Sequence, residues 1–210
     1  RTVSTGLGAY RAGIAGGGAG GQSGEQAALL LRRQPVFAAG FAATAAGGGV
    51  WHDVNPQVST GAKQSIANVV MSLVDPGDEV IMPIPYWVSY AEIVKLAEGI
   101  TVPVITTLES DFKMTPEQLE KAITPKSKLL IFSSPCNPTG SVYSRDELQG
   151  LAKVLEKHPG VYILSDKIYE HINCVDHHAS IAEFESVRER VIIVNGVSKG
   201  YAMTGWRIGY

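Results

Sequence analysis

Apolar residues fall at Ile66, Val69, Val70, Leu73 and Val74, the i, i+3, i+4, i+7, i+8 spacing of one helix face, and predict a helix starting after Gly61. "DPGD" (Asp75 to Asp78) then reads as a turn and "EVIMPIP" as a strand. Tyr86 to Glu98 predicts a second helix, and "TVPVITT" a second strand. Thr115-Pro116-Glu117-Gln118 supplies an N-cap, a proline at the first helical position and a capping-box partner. Ser144 and Glu147 repeat that box ahead of "LQGLAKVLEKH". Three further β-rich runs follow or intervene: "KLLIFSS", "VYILSD" and "VIIVNG". Strands alternating with helices predict an α/β fold, a mostly parallel sheet with helices on both faces.

The pattern begins only near Asp53. Residues 1–50 contain 13 Gly and 12 Ala with five charged residues, and show no sustained periodicity. Segment 1–52 is therefore expected to be poorly ordered or foreign to the fold, with one α/β domain over 53–210. "GGGAGG" fits GxGxxG by composition alone, with no strand before it. Arg32-Arg33 before "VFAAGFAATAA" imitates a secretion signal, but its internal place argues against one.

Charge narrows the partners. Eighteen basic residues against 20 acidic ones give no basic surface for nucleic acid or membrane. No apolar run reaches the roughly 20 residues of a bilayer span. Cys136 and Cys174 lie in neither a CxxC nor a metal-ligand spacing, which reads as a reduced, cytoplasmic protein. His177-His178 is adjacent rather than helically spaced, so no metal site is expected.

In parallel sheets, ligands sit beyond the carboxyl ends of the strands. Asn137-Pro138-Thr139-Gly140 follows the first of the three later strands, and Asp166 ends the second, with Tyr169 three residues on. Ser198 and Lys199 follow the third, with Arg207 eight residues beyond Lys199. Taken singly, these are a turn, a helix cap and a solvated lysine. Together they put an amide, a carboxylate, a phenol, a lysine and an arginine on one sheet edge, a convergent polar site.

With "STGAKQ", "NPTG", "SDKIYEH" and "GVSKGYAMTGWRIG" in this order, the chain from about Asn55 to Tyr210 resembles the pyridoxal-phosphate-dependent aminotransferases of class I/II. The resemblance implies the large domain of the aspartate-aminotransferase-like fold. It implies pyridoxal 5′-phosphate as cofactor, with Lys199 as the Schiff-base lysine and proton carrier, and Asp166 as the partner of the ring nitrogen. Asn137 and Tyr169 match the pair that hydrogen-bonds the ring's phenolic oxygen. Trp87 in "PYWVSY" matches the aromatic that stacks on the ring, or is a half-buried core residue. Gly61 and Ala62 open the first helix toward the phosphate, and Ser198 and Arg207 match its side-chain ligands. Lys63 has two readings, a contact to an acidic substrate's distal carboxylate or a backbone phosphate contact with a solvated side chain.

The implied function is transfer of an amino group between an amino acid, aspartate or a related acidic one favoured, and a 2-oxo acid. The same motifs suit a pyridoxal-phosphate lyase or synthase, or a catalytically silent cofactor-binding fragment. The resemblance also implies a homodimer for the parent fold, and a longer parent chain, so that this chain is expected to be an incomplete fragment lacking the small domain. Lys167 departs from the pattern, because relatives often carry an acidic or small residue there. Asp166 and Tyr169 stay in place, so the expected effect is modest.

Overall fold

The apolar stripe of the first helix has a sheet to cover. In a computed structural model of the protein, which describes residues 57–175 and 177–210, helix α1 spans Ala62–Leu73 and buries Ile66, Val69, Val70 and Leu73. The expectation for segment 1–52 lies outside the described residues. Strands β1 (Glu79–Ile84), β2 (Ile100–Ile105), β3 (Ser127–Ser133), β4 (Tyr162–Asp166) and β5 (Val191–Val194) form one sheet in the order β2-β1-β3-β4-β5. Every neighbouring pair in it is parallel.

Parallel strands need helical crossovers, and these leave both faces of the sheet covered. Successive residues of a strand point to opposite faces, and the core divides accordingly. Val80, Met82, Leu129, Ile131 and Leu164 pack with α1 and with α2 (Ser89–Leu96). Ile81, Leu130, Phe132 and Ile163 pack on the other face, with α3 (Pro116–Ala122), α4 (Arg145–Glu156) and α5 (Glu185–Arg188). A four-residue helix α6 (Val197–Gly200) follows β5.

Both capping boxes form as their sequences predict. Thr115 Oγ1 accepts from the Gln118 amide at 3.3 Å, and Gln118 Oε1 accepts from the Thr115 amide at 3.0 Å. Ser144 and Glu147 make the same exchange at 3.3 and 2.7 Å. Helix α2 is shorter than the predicted Tyr86 to Glu98. Residues 86–88 continue the turn out of Pro85, and Glu98 takes the left-handed conformation (φ 61°), which stops the helix.

Register puts the site in place. Ser133 pairs with Asp166 and Asp166 with Val194, so the carboxyl ends of β3, β4 and β5 stand level. The strand order turns between β1 and β3, the switch point where open parallel sheets leave a crevice. Among the described residues, no helix is long and apolar enough to cross a membrane.

If α4 is held by burial first and by its cap second, the two contributions differ in size. Leu151, which is fully buried, should cost about 2–5 kcal/mol when cut to alanine. Ser144→Ala should cost about 1 kcal/mol. Urea unfolding of both variants checks the order, and equal losses would contradict it.

Candidate active site at the carboxyl edge of the sheet

Asp166 ends β4 with its side chain buried; its residue is 3% exposed. Its Oδ2 accepts a 2.5 Å hydrogen bond from the Tyr90 hydroxyl, and its Oδ1 accepts from the Ile168 amide at 3.0 Å. Burial pushes the Asp166 carboxyl above the usual carboxylate range, while the Tyr90 and Ile168 donors pull it back. Tyr90 is itself buried. Desolvation, and then the Asp166 charge, holds its hydroxyl well above the usual phenol value, so it stays a donor. A carboxylate has about four acceptor sites, so two single donors leave capacity for a further cation or N–H.

Trp87 stands edge-on to Tyr90, with ring centroids 5.5 Å apart at 87°. It is half-buried and packs against the α1/α2 face of the core. Lys63 is exposed, and its Nζ lies over the Trp87 ring, 4.8 Å from the centroid. Lys63, Trp87, Tyr90 and Asp166 thus form one continuous chain of contacts. Asn137 joins it through a shallow cleft at the β1/β3 switch point, lined also by Pro85, Tyr86, Tyr90, Ser133 and Cys136.

A second group gathers at the N-terminus of α1. The Arg207 guanidinium donates from Nη1 to Ser198 Oγ at 3.4 Å and to the Thr204 carbonyl at 2.8 Å, and from Nη2 to the Thr60 carbonyl at 3.3 Å. Arg207 holds a left-handed backbone (φ 53°, ψ 49°), unusual for a residue with a Cβ. Gly61 is required beneath it: its φ is +89°, and a Cβ there would sit 2.2 Å from Arg207 Nη2. The first turn of α1 has no acidic residue. The guanidinium sits over Gly61 at the positive end of a helix, a place that favours an anion.

Lys199 is exposed in α6, with its Nζ 6.0 Å from the ring centroid of half-buried Tyr169. The sequence-predicted residues therefore fall into three sets: Lys63, Trp87, Asn137 and Asp166; Gly61, Ala62, Ser198 and Arg207; Tyr169 and Lys199. The strand-end argument missed Tyr90, whose sequence signals are its place three residues after Trp87 and its helical spacing with Ile93 and Val94. His178 is placed outside all three sets, its Nε2 2.8 Å from the Ser134 carbonyl oxygen.

The family model described as "Aminotransferase class I and II" matches residues 48–210. The chain is 53% identical over 155 residues to the aspartate/prephenate aminotransferase of Nitrosomonas europaea, a match that covers 73% of this chain and 39% of that protein. Among solved structures it resembles the aspartate aminotransferase of Rhizobium meliloti, with a TM-score of 0.74 and 34% identity over 97% of this chain and 58% of that one. It also resembles the Thermus thermophilus aspartate aminotransferase solved with maleate, with a TM-score of 0.73 and 38% identity over 89% of this chain and 51% of that one. The chain thus spans about two fifths of the length of the curated relatives it matches.

The Tyr90–Asp166 bond has a pH signature. Tyr90→Phe removes a donor that favours the carboxylate, so the Asp166 carboxyl should rise further. A group raised in the fold loses stability as pH climbs from its unfolded value through its folded one. The loss in Tyr90→Phe should therefore grow with pH, from about 1 kcal/mol while Asp166 is protonated to about 1.5–3 kcal/mol once it is charged. Urea unfolding from pH 4 to 8 checks this, and a gap that is flat with pH would refute it.

Proposed function

The chain belongs to the class I and II aminotransferase family, and from that premise we propose that it binds pyridoxal 5′-phosphate and serves transfer of an amino group between an amino acid and a 2-oxo acid. The observation that carries the cofactor is the Arg207 guanidinium over the acid-free N-terminus of α1, two positive groups set side by side. A phosphate relieves that repulsion. The planar fork of Arg207, the Ser198 hydroxyl and the amides of Gly61 and Ala62 are donors of the kind such a dianion takes.

The other end of the site fits the ring. Asp166 has spare acceptor capacity and a charge that burial disfavours, and a protonated ring nitrogen supplies the cation that offsets that cost. When bound, pyridoxal phosphate supplies an electron-accepting ring that stabilises negative charge developing at the substrate Cα. Asp166 would hold a proton on the ring nitrogen. Lys199 Nζ would be the point of covalent attachment and, when free, the base that moves the Cα proton. Asn137 and Tyr169 would donate to the ring's phenolic oxygen, and Trp87 would cover one ring face.

Aspartate or a related acidic amino acid is the favoured substrate. The Nitrosomonas relative is an aspartate/prephenate aminotransferase, and the Thermus enzyme was solved with maleate, a dicarboxylate. Lys63, exposed above Trp87, is the cation this reading assigns to a distal carboxylate. Small-molecule amino and 2-oxo acids are the proposed partners, with a homodimer as the proposed assembly of the parent protein.

Titration with pyridoxal phosphate should develop a visible absorbance band. Borohydride reduction and peptide mapping should place the adduct on Lys199, and Lys199→Ala should lose both. Arg207→Ala should keep the lysine chemistry but weaken binding about tenfold to a hundredfold, the loss of a charge-assisted hydrogen bond. A folded sample with no adduct would overturn the cofactor reading. Production of glutamate from aspartate and 2-oxoglutarate, measured on the parent protein, tests the transaminase reading separately from lyase or synthase chemistry.

A further inference from the structure

Tyr169 and Lys199 reach the site from different strands, and a buried polar cluster joins the two segments that carry them. Lys167, directly after Asp166, is only 4% exposed, and its Nζ lies 2.7 Å from Glu170 Oε2. Glu170 Oε1 accepts a short hydrogen bond from Nδ2 of Asn195, a buried residue immediately after β5. His171 Nε2 approaches the same oxygen at 3.5 Å. The backbone repeats the tie: the Lys167 amide donates to the Val194 carbonyl at 2.8 Å, and the Glu170 amide donates to the Lys167 carbonyl at 2.9 Å. Farther along, a Cβ on Gly200 would lie 3.2 Å from the His171 side chain, and the His171 and Tyr201 rings stand 5.5 Å apart.

The chemistry of this cluster is restrictive. An ammonium as buried as that of Lys167 is tolerated only with its charge compensated and its hydrogen bonds made. Glu170 supplies both, and in return its carboxylate is fixed from two sides, by Lys167 on its own turn and by Asn195 across the sheet edge. Asn195 is anchored too: its Oδ1 accepts from the Gly196 amide at 2.7 Å, and its backbone exchanges hydrogen bonds with Tyr210 at 2.8 and 2.9 Å. Tyr169 lies between Lys167 and Glu170 in the chain, and Lys199 follows Asn195 by four residues. A clamp on these three side chains sets where both begin.

We propose that Lys167, Glu170 and Asn195 are positioning residues that hold Tyr169 against Lys199, and that cofactor binding depends on Lys167 although its ammonium is turned to Glu170. The proposal rests on the cofactor reading of Lys199 and Tyr169. It assigns Lys167 a function of its own, as the compensating charge that fixes the Glu170 carboxylate.

Three variants of the chain test it: Lys167→Met, Glu170→Ala, and the double Lys167→Met/Glu170→Gln. Amide hydrogen exchange is followed over residues 167–171 and 195–200 without cofactor, and pyridoxal phosphate affinity by the visible band. Glu170→Ala should speed exchange in both segments and weaken binding about tenfold to a hundredfold, the range for outer partners of a ligating group. Lys167→Met leaves a carboxylate without its ammonium and should weaken binding about tenfold. The double variant has no charge to bury and keeps a carbonyl for Asn195, so it should recover to within about threefold of the unsubstituted chain. Unchanged exchange in β1 and β3 marks an intact fold. If Glu170→Ala does not fold, the comparison of Lys167→Met with the double variant decides. Faster exchange confined to the substituted segment, or a double variant no better than Lys167→Met, would overturn the clamp. If the unsubstituted chain gives no band, the cofactor reading fails instead, and the exchange data still decide whether the clamp exists.

Discussion

The backbone at Gly209 is the contact on which the candidate site depends. It runs so close to the start of α1 that a Cβ there would lie 2.3 Å from the Ala62 nitrogen and from the Gly61 carbonyl carbon. Only glycine permits that approach. Around it the chain pairs on both sides: Ser59 and Gly209 exchange backbone hydrogen bonds at 2.7 and 3.0 Å, and Asn195 and Tyr210 at 2.8 and 2.9 Å. The segments at Ser59, Asn195 and Gly209 are thereby held as one strip. Arg207 is two residues from this pin, which is why its guanidinium comes to rest over α1 and why its own backbone accepts a left-handed conformation. The strain is local, and the pairing on both flanks is what maintains it.

The candidate site beside this strip has opposite signs at its two ends. Asp166 is a carboxyl removed from water, stabilised by two donors but still held above its ordinary range. Arg207 and the α1 terminus set like charges together. The proposed ligand, anionic at one end and cationic at the other, complements both, and groups shifted by burial gather at functional sites.

Much of this was legible along the chain, for reasons that differ by element. The α1 stripe is readable because a helix against a sheet needs its apolar residues on one face, and Ile66, Val70 and Leu73 have no other use. The two capping boxes are local chemistry, complete within four residues, and so survive without tertiary information. The strand-end rule located Asp166, Ser198 and Lys199 because parallel topology fixes which end of each strand is open. Tyr90 escaped because its contact to Asp166 spans 76 residues. Its spacing with Ile93 and Val94 makes it look like an ordinary core position, which for its ring it is. Only the hydroxyl has a second role, and apolar periodicity cannot see a hydroxyl. The start of α2 was placed too early for a related reason, since the residues after β1 serve the crevice before they serve the helix.

Lys167 shows how far a buried position can depart in charge without disturbing its neighbours. It adjoins Asp166 in the chain, yet the influences on the Asp166 carboxyl are burial, Tyr90 and Ile168. The reason is directional. Asp166, the last residue of β4, turns to Tyr90 on the α2 side, whereas Lys167 lies past the strand end and meets Glu170 at 2.7 Å in the turn that follows. A charge neutralised within three residues of its origin acts on the geometry around it rather than on the field across the site. The lysine therefore leaves the sign pattern of the site intact, while the ion pair it makes becomes one of the ties between the β4 and β5 ends.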